Sequence, residues 1–176
     1  MPHSPPRSTS PRGTRDPGIA VSLLLNRVSL RRGEALYLPA GNIHAYLSGL
    51  GVELMAASDN VLRGGLTPKH VDVSELLHVL DFDPRAVPIL TPERPSPGLE
   101  VYRPPVPDFV LVRFGGGAPA TFALRGPAIA ICTRGSVALS GASTVRVDRG
   151  SSVYITPDEG EITVEGDGEV FVATAG

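Results

Sequence analysis

The chain has 176 residues, enough for one hydrophobic core or two small ones, and 41% of them are hydrophobic, as suits a globular protein. Its formal net charge of −2 argues against the basic surface that nucleic acid or an anionic membrane requires, and no apolar run approaches the length of a membrane span. The 20 glycines and 18 prolines call for many turns, and the single cysteine excludes an intrachain disulfide framework and fits a reducing cytoplasm.

Residues 1–15 are Pro, Ser and Arg with almost no apolar content. Such a segment cannot bury enough surface to order itself, so it reads as a disordered tail. It lacks an apolar stretch and a small-residue cleavage site, so it does not read as a signal peptide, and His3 within it is expected to be inert.

The first ordered unit covers about 16–83. Strands are expected at 22–30, 35–38, 45–47, 52–56 and 61–63, separated by Gly-containing turns. The stretch Gly33-Glu34-Ala35-Leu36-Tyr37-Leu38-Pro39-Ala40-Gly41-Asn42-Ile43-His44 is the most informative. Gly33 permits a turn into a short apolar strand. Pro39 and Gly41 then form a corner, because one fixes φ and the other tolerates positive φ. His44 follows from a strand end, a rigid position of the kind a metal ligand needs. Further on, Asp72 stands three residues before Glu75, a capping-box pattern. Leu76, Leu77 and Leu80 give the next segment one apolar helical face, so a short helix is expected at 73–80 with His78 off that stripe.

Eight prolines between 84 and 107 exclude a helix and any central strand there, leaving a connection in which Ile89-Leu90 could add a short edge strand. The region 108–176 reads as all-β, with strands at 109–114, 128–133, 136–139, 144–147, 152–155, 162–165 and 169–173 and glycine turns between them. Gly115-Gly116-Gly117 lacks the Gly-Lys-Ser/Thr ending of a phosphate loop and reads as a hairpin loop. Cys132, in Ala128-Ile129-Ala130-Ile131-Cys132, reads as a buried structural thiol. Arg149-Gly150-Ser151-Ser152-Val153-Tyr154-Ile155-Thr156-Pro157 echoes Arg32-Gly33-Glu34-Ala35-Leu36-Tyr37-Leu38-Pro39, with the proline displaced by one position and no histidine after it.

The spacing Gly-x5-Pro-x-Gly-x2-His resembles the second metal-binding motif of cupin barrels. The residues after it, His44 to Gly49 and then Val52-Glu53-Leu54-Met55-Ala56-Ala57-Ser58-Asp59-Asn60-Val61-Leu62-Arg63-Gly64-Gly65-Leu66-Thr67-Pro68-Lys69, look like the type I phosphomannose isomerases. The likeness begins near Asp16-Pro17-Gly18 and weakens after Pro84. It implies an all-β, cupin-like fold with one short helix, a first barrel that is incomplete, and a metal-free cupin-like unit at 108–176. It also implies zinc-dependent interconversion of mannose 6-phosphate and fructose 6-phosphate, with a hexose 6-phosphate as substrate. In that family a Gln-x-His pair and a glutamate lying upstream supply further zinc ligands, and this chain contains no Gln. The sequence therefore looks like the C-terminal part of such an enzyme. A separate polypeptide could supply the other half; the alternative is an inactive fragment or a sugar-binding or assembly module.

By this resemblance His44 is one zinc ligand and Arg63 the active-site arginine. A fixed cation of this kind stabilises the oxyanion that develops in an aldose–ketose isomerisation. Without the resemblance, His44 reads as an ordinary structural histidine and Arg63 as a strand-end arginine in a surface ion pair. Lys69 is either a phosphate contact or a proton-transfer group, and its bland reading is an exposed lysine before the helix. Glu53 is expected to point inward near substrate, where a buried carboxylate needs a partner or a task. Tyr46 shares the His44 face of an extended strand and either lines the sugar pocket or fills core. Asp59-Asn60 reads as an Asx turn. Other chemically competent side chains, among them His70 and Cys132, show no spacing that would complete a metal site.

Overall fold

The computed structural model describes residues 16–58 and 61–176. The tail at 1–15, with His3, and the turn at Asp59-Asn60 lie outside the described residues. The chain divides into two compact units: one holds the residues up to Ser29 with Leu38–Leu47 and Ser58–Val87, the other Leu30–Tyr37, Ser48–Ala57 and Pro88–Gly176.

In the first unit, helix α1 spans Pro17–Ser22. Asp16 caps it, accepting from the Gly18 amide, and Pro17 takes the first helical position, where its missing N–H costs nothing. A strand was expected from residue 22 onward; its apolar residues instead follow the helix with no strand partner. The expected strands at 45–47 and 61–63 are extended chain outside any sheet, as is 52–56 in the other unit. Helix α2, Val73–Val79, forms where expected, with the Asp72 carboxylate accepting from the Glu75 amide and His78 exposed. Gly18 is the one buried residue of this unit among those described, and Leu23, Leu24, Leu47 and Phe82 are exposed.

The second unit holds the hydrophobic core. Strand β1 (Ala35–Leu36) pairs antiparallel with β2 (Ile89–Leu90), bearing out the short edge strand expected at Ile89-Leu90. Strands β3 (Glu93–Ser96) and β4 (Leu99–Tyr102) follow, then β5 (Val110–Phe114), β6 (Gly117–Ala123) and β7 (Ala128–Arg134). After these come β8 (Ser136–Ser140), β9 (Thr144–Asp148), β10 (Ser152–Ile155), β11 (Glu161–Gly166) and β12 (Glu169–Thr174). A six-stranded sheet has the order β10-β7-β12-β5-β4-β3, and a four-stranded sheet the order β6-β11-β8-β9. The proline-rich region is thus not simply a connection. Pro95 lies in the edge strand β3, where a missing donor is tolerated, and the proline-free Leu99–Tyr102 is an interior strand.

Alternation builds this core. In β7, Ala128, Ala130 and Cys132 point inward and Ile129 and Ile131 outward. The inward faces of the two sheets meet through Phe114, Val137, Val164, Val170 and Val172, each worth roughly 2 kcal/mol when fully removed from water. Cys132 is buried among them, as its apolar run implied.

On the six-stranded sheet sits a charge network. Arg113, on β5, donates from Nε to Glu169 Oε1 at 2.7 Å and from Nη1 to Glu100 Oε2 at 2.5 Å. Arg32 also reaches Glu169 (3.0 Å), Arg94 reaches Glu100 through Nε and Nη2, and Thr133 donates to Glu169 Oε2 at 3.1 Å. The Tyr102 hydroxyl lies 2.7 Å from the Gly33 carbonyl oxygen and 3.0 Å from Glu100 Oε2. Gly33, at φ +85°, approaches Arg113 so closely that a Cβ would lie 3.2 Å from Nη1. Through these contacts the segment that leads into β1 is held on the sheet.

Burial acts to raise the Glu100 and Glu169 carboxyls. Hydrogen bonds from Arg113, Tyr102 and Arg94 to Glu100, and from Arg32 and Arg113 to Glu169, outweigh it and hold both below the ordinary 4.5. Tyr102 is pushed up to about 12 by burial, then by the charge of Glu100 and the hydrogen bond to it. A depressed carboxyl stabilises the fold above its unfolded value and stops doing so as pH falls through the folded one. A raised phenol stabilises below its unfolded value and loses that as pH rises through the folded one. The urea midpoint of the second unit should therefore fall below about pH 4.5, and again as pH rises from 10 towards about 12. Glu169→Gln should cost about 2 kcal/mol at neutral pH and flatten the acid limb; an unchanged acid limb removes Glu169 as its source.

Candidate functional site

Pro39, Ala40, Gly41 and Asn42 close a turn in which the Asn42 amide donates to the Pro39 carbonyl at 3.2 Å and Gly41 sits at φ +80°. Only glycine fits there. A Cβ would lie 2.7 Å from the Val79 carbonyl oxygen, and the Gly41 carbonyl accepts from the Asp81 amide at 3.0 Å. The corner read from the sequence is present, seated on the C-terminal end of α2.

His44 follows this turn, exposed and in extended chain rather than on a strand as expected. Its Nδ1 lies 2.9 Å from the Asn42 carbonyl oxygen. A carbonyl can only accept, so Nδ1 is the donor in this bond, which ties one ring nitrogen to the backbone and orients the imidazole. Tyr46 stands edge-on to the imidazole, the ring centroids 6.1 Å apart at 72°. The Tyr46 ring is 73% exposed, so it forms no part of a core.

Arg63 is exposed in extended chain. Its neighbour Gly64 packs against Ile43, which precedes His44: a Cβ at Gly64 would lie 2.7 Å from Ile43 Cδ1. The segments bearing His44 and Arg63 are therefore brought side by side within one unit. A Cβ at either Gly64 or Gly65 would meet neighbouring atoms. Gly65, at φ +128°, lies against Asp16 and Gly18. Asp16 accepts from the Gly18 amide at 2.8 Å and from the Leu66 amide at 2.9 Å, holding Leu66 at φ +54°, a conformation uncommon for a branched side chain. Lys69 is exposed, its amide donating to Thr67 Oγ1 at 3.2 Å. Among the described residues neither Arg63 nor Lys69 forms an ion pair, so the surface pair offered as the bland reading of Arg63 is absent there.

Glu53 corrects an expectation. It belongs to the other unit, in a stretch that joins no sheet, and it is exposed rather than inward-pointing. With no strand there, alternation does not turn it inward. Among the described residues no group of three or more His, Cys, Asp and Glu side chains gathers as a metal site. His44 thus fits one position of a zinc coordination sphere, and the described residues do not fit the rest, since such a site uses three or four protein ligands. Sequence reasoning missed Asp16. Its signal was available in Asp16-Pro17, an N-cap followed by proline at the first helical position.

A cupin-type all-β fold with a Pro-Gly corner leading to a histidine is the class these features define. No family model matches the sequence. Mannose-6-phosphate isomerase of Escherichia coli is 37% identical over 158 residues, covering 88% of this chain and 40% of that protein. Mannose-6-phosphate isomerase 2 of Arabidopsis thaliana is 40% identical over 162 residues, covering 90% of this chain and 36% of its own length. The Salmonella typhimurium isomerase, solved with fructose 6-phosphate and zinc bound, superposes with a TM-score of 0.79 at 34% identity, over 91% of this chain and 42% of that one. Over the residues it spans, the chain is similar to the mannose-6-phosphate isomerases. It spans about two-fifths of the length of the relatives it matches.

Gly41→Ala should strain the corner by about 1–3 kcal/mol. Amide exchange at Asp81, which donates to the Gly41 carbonyl, should accelerate in this variant. Unchanged exchange there would mean that the turn is not held by α2.

Proposed function

We propose that this chain carries the C-terminal share of a mannose-6-phosphate isomerase, acting in the cytoplasm on a hexose 6-phosphate in carbohydrate metabolism. Supporting this is one observation above the rest: in a chain 37% identical to the Escherichia coli enzyme, the histidine of the corner has its imidazole oriented by Nδ1 donating to a backbone carbonyl. Zinc, when bound, would polarise the sugar oxygens between which the proton moves. His44 Nε2 would hold it from one side. Arg63, exposed and without an ion pair among the described residues, would face the enediolate oxygen and stabilise its charge. Lys69 would take the phosphate or move the proton between C1 and C2, and Tyr46 would line the sugar site.

The described residues supply one zinc ligand, so the site is completed by polypeptide equivalent to the part of the relatives that this chain does not span. The first unit favours that reading. It buries a single residue among those described, and the side chains it exposes include Leu23, Leu24, Leu47 and Phe82, a composition suited to covering by further chain. The chain by itself is then a truncated form, expected to lose zinc on gel filtration and to lack isomerase activity.

Two measurements test this. Zinc retained stoichiometrically by the purified chain after desalting would overturn the incomplete-site reading. When the complementary polypeptide is supplied, turnover of mannose 6-phosphate should appear, and Arg63→Ala should lower it roughly a hundredfold. Unchanged turnover in that variant removes Arg63 from the mechanism. A folded, inactive mixture favours the non-catalytic sugar-binding or assembly module.

A further inference from the structure

In the second unit a cavity of about 290 Å³ opens between the two sheets. Its walls include Val101 and Val112 of the six-stranded sheet and Phe122 of the four-stranded one, all members of the buried core. Arg103, Arg125 and Glu93 stand at its rim. Protein interiors are packed as densely as organic crystals, and wall atoms that face empty space forfeit their dispersion contacts. Thr121 and Thr174 also line it, and the remaining, largely apolar wall gives water few partners. The occupant that such walls favour is itself apolar. The space is at the small end of ligand sites, roughly 300 Å³ and upward, so the occupant is small.

The rim sets its charge. Arg103 lies 3.4 Å from Glu93, so those two charges balance. Arg125, exposed and just beyond the end of β6, forms no ion pair and no side-chain hydrogen bond among the described residues. One guanidinium is therefore left over at the mouth of an apolar slot. A planar fork of N–H donors matches a carboxylate.

We propose that the open end of the C-terminal sandwich binds a small amphipathic monocarboxylate, its short apolar chain between the sheets and its carboxylate on Arg125. The site rests on the second unit alone and is independent of the isomerase reading. Nothing in it resembles the His44 corner. Its task is binding.

The test uses the full chain, isotopically labelled and titrated with sodium octanoate while amide shifts are followed. Saturable shifts are expected at Val101, Val112 and Phe122, with a midpoint below about 1 mM. Arg125→Ala should weaken binding at least about threefold. Ala123→Phe should abolish it, because Ala123 lines the cavity from an exposed position where a larger side chain closes the entrance without disturbing the core. Both substitutions are at exposed positions, and retained dispersion of the core amides shows that the variants fold. The proposal fails if the shifts do not saturate, if they fall only on residues 16–87, or if either variant binds as the parent does.

Discussion

The carboxylate of Glu169 is nearly sequestered from water, on a residue 7% exposed, and a lone charge in that position would be expensive. It is tolerated because Arg113 and Arg32 both donate to the same oxygen while Thr133 donates to the other. Arg113 passes the constraint on to Glu100, and Glu100 to Arg94 and Tyr102. The consequence reaches beyond the sheet. Arg32 and Gly33 are the residues that open the strand before the His44 corner, and both are held by this network. Three guanidinium groups and two carboxylates thus fix the segment that leads into β1.

Much of the second unit was legible because strands such as β5, β7 and β8 alternate between a buried and a more exposed face, with apolar residues on the buried one. Strand β6 escaped notice. Gly117-Ala118-Pro119-Ala120-Thr121-Phe122-Ala123 is rich in small residues and holds a proline, and its strand character comes from pairing with β11 rather than from its composition. Strand β4 was hidden by the prolines around it, although Leu99–Tyr102 contains none. In the first unit the errors ran the other way. Residues 45–47 and 61–63 have the composition of strands but no partner to pair with, and a strand without a ladder leaves its amides to water. Helix α2 was legible from Asp72 and Glu75 because capping is local and needs no distant partner.

The candidate site divides in the same way. The corner at Pro39 and Gly41 was legible because φ preferences act within the residue itself. The Asn42 carbonyl that orients the His44 imidazole could not be read from sequence, since it depends on how the side chain turns back on its own backbone. Nor could the role of Gly64. Its missing Cβ accommodates Ile43, a residue far off in the chain, so the glycine reports packing.

The repeated word Arg-Gly in the two halves has a backbone counterpart. Gly33 adopts φ +85° and Gly150 φ +86°, each turning the chain into a short strand, β1 and β10. The halves part after that strand. In the first, Tyr37 is followed four residues later by Gly41 and then by Asn42, Ile43 and His44. In the second, Gly160 comes six residues after Tyr154, and a 3-10 turn over Pro157–Glu159 takes up the difference. Glu161, Ile162 and Thr163 then continue as β11, with Thr163 paired through its hydroxyl to Thr121. Ile162 is buried in the core. The longer corner delivers its chain into a sheet, where Thr163 hydrogen-bonds to a neighbouring strand. The shorter corner leaves its chain unpaired, and there the third residue after the glycine is an exposed histidine. A residue committed to a ladder cannot easily turn towards a ligand, so the length of the corner, as much as the identity of the side chain, separates the half that packs into a sheet from the half that leaves its histidine exposed.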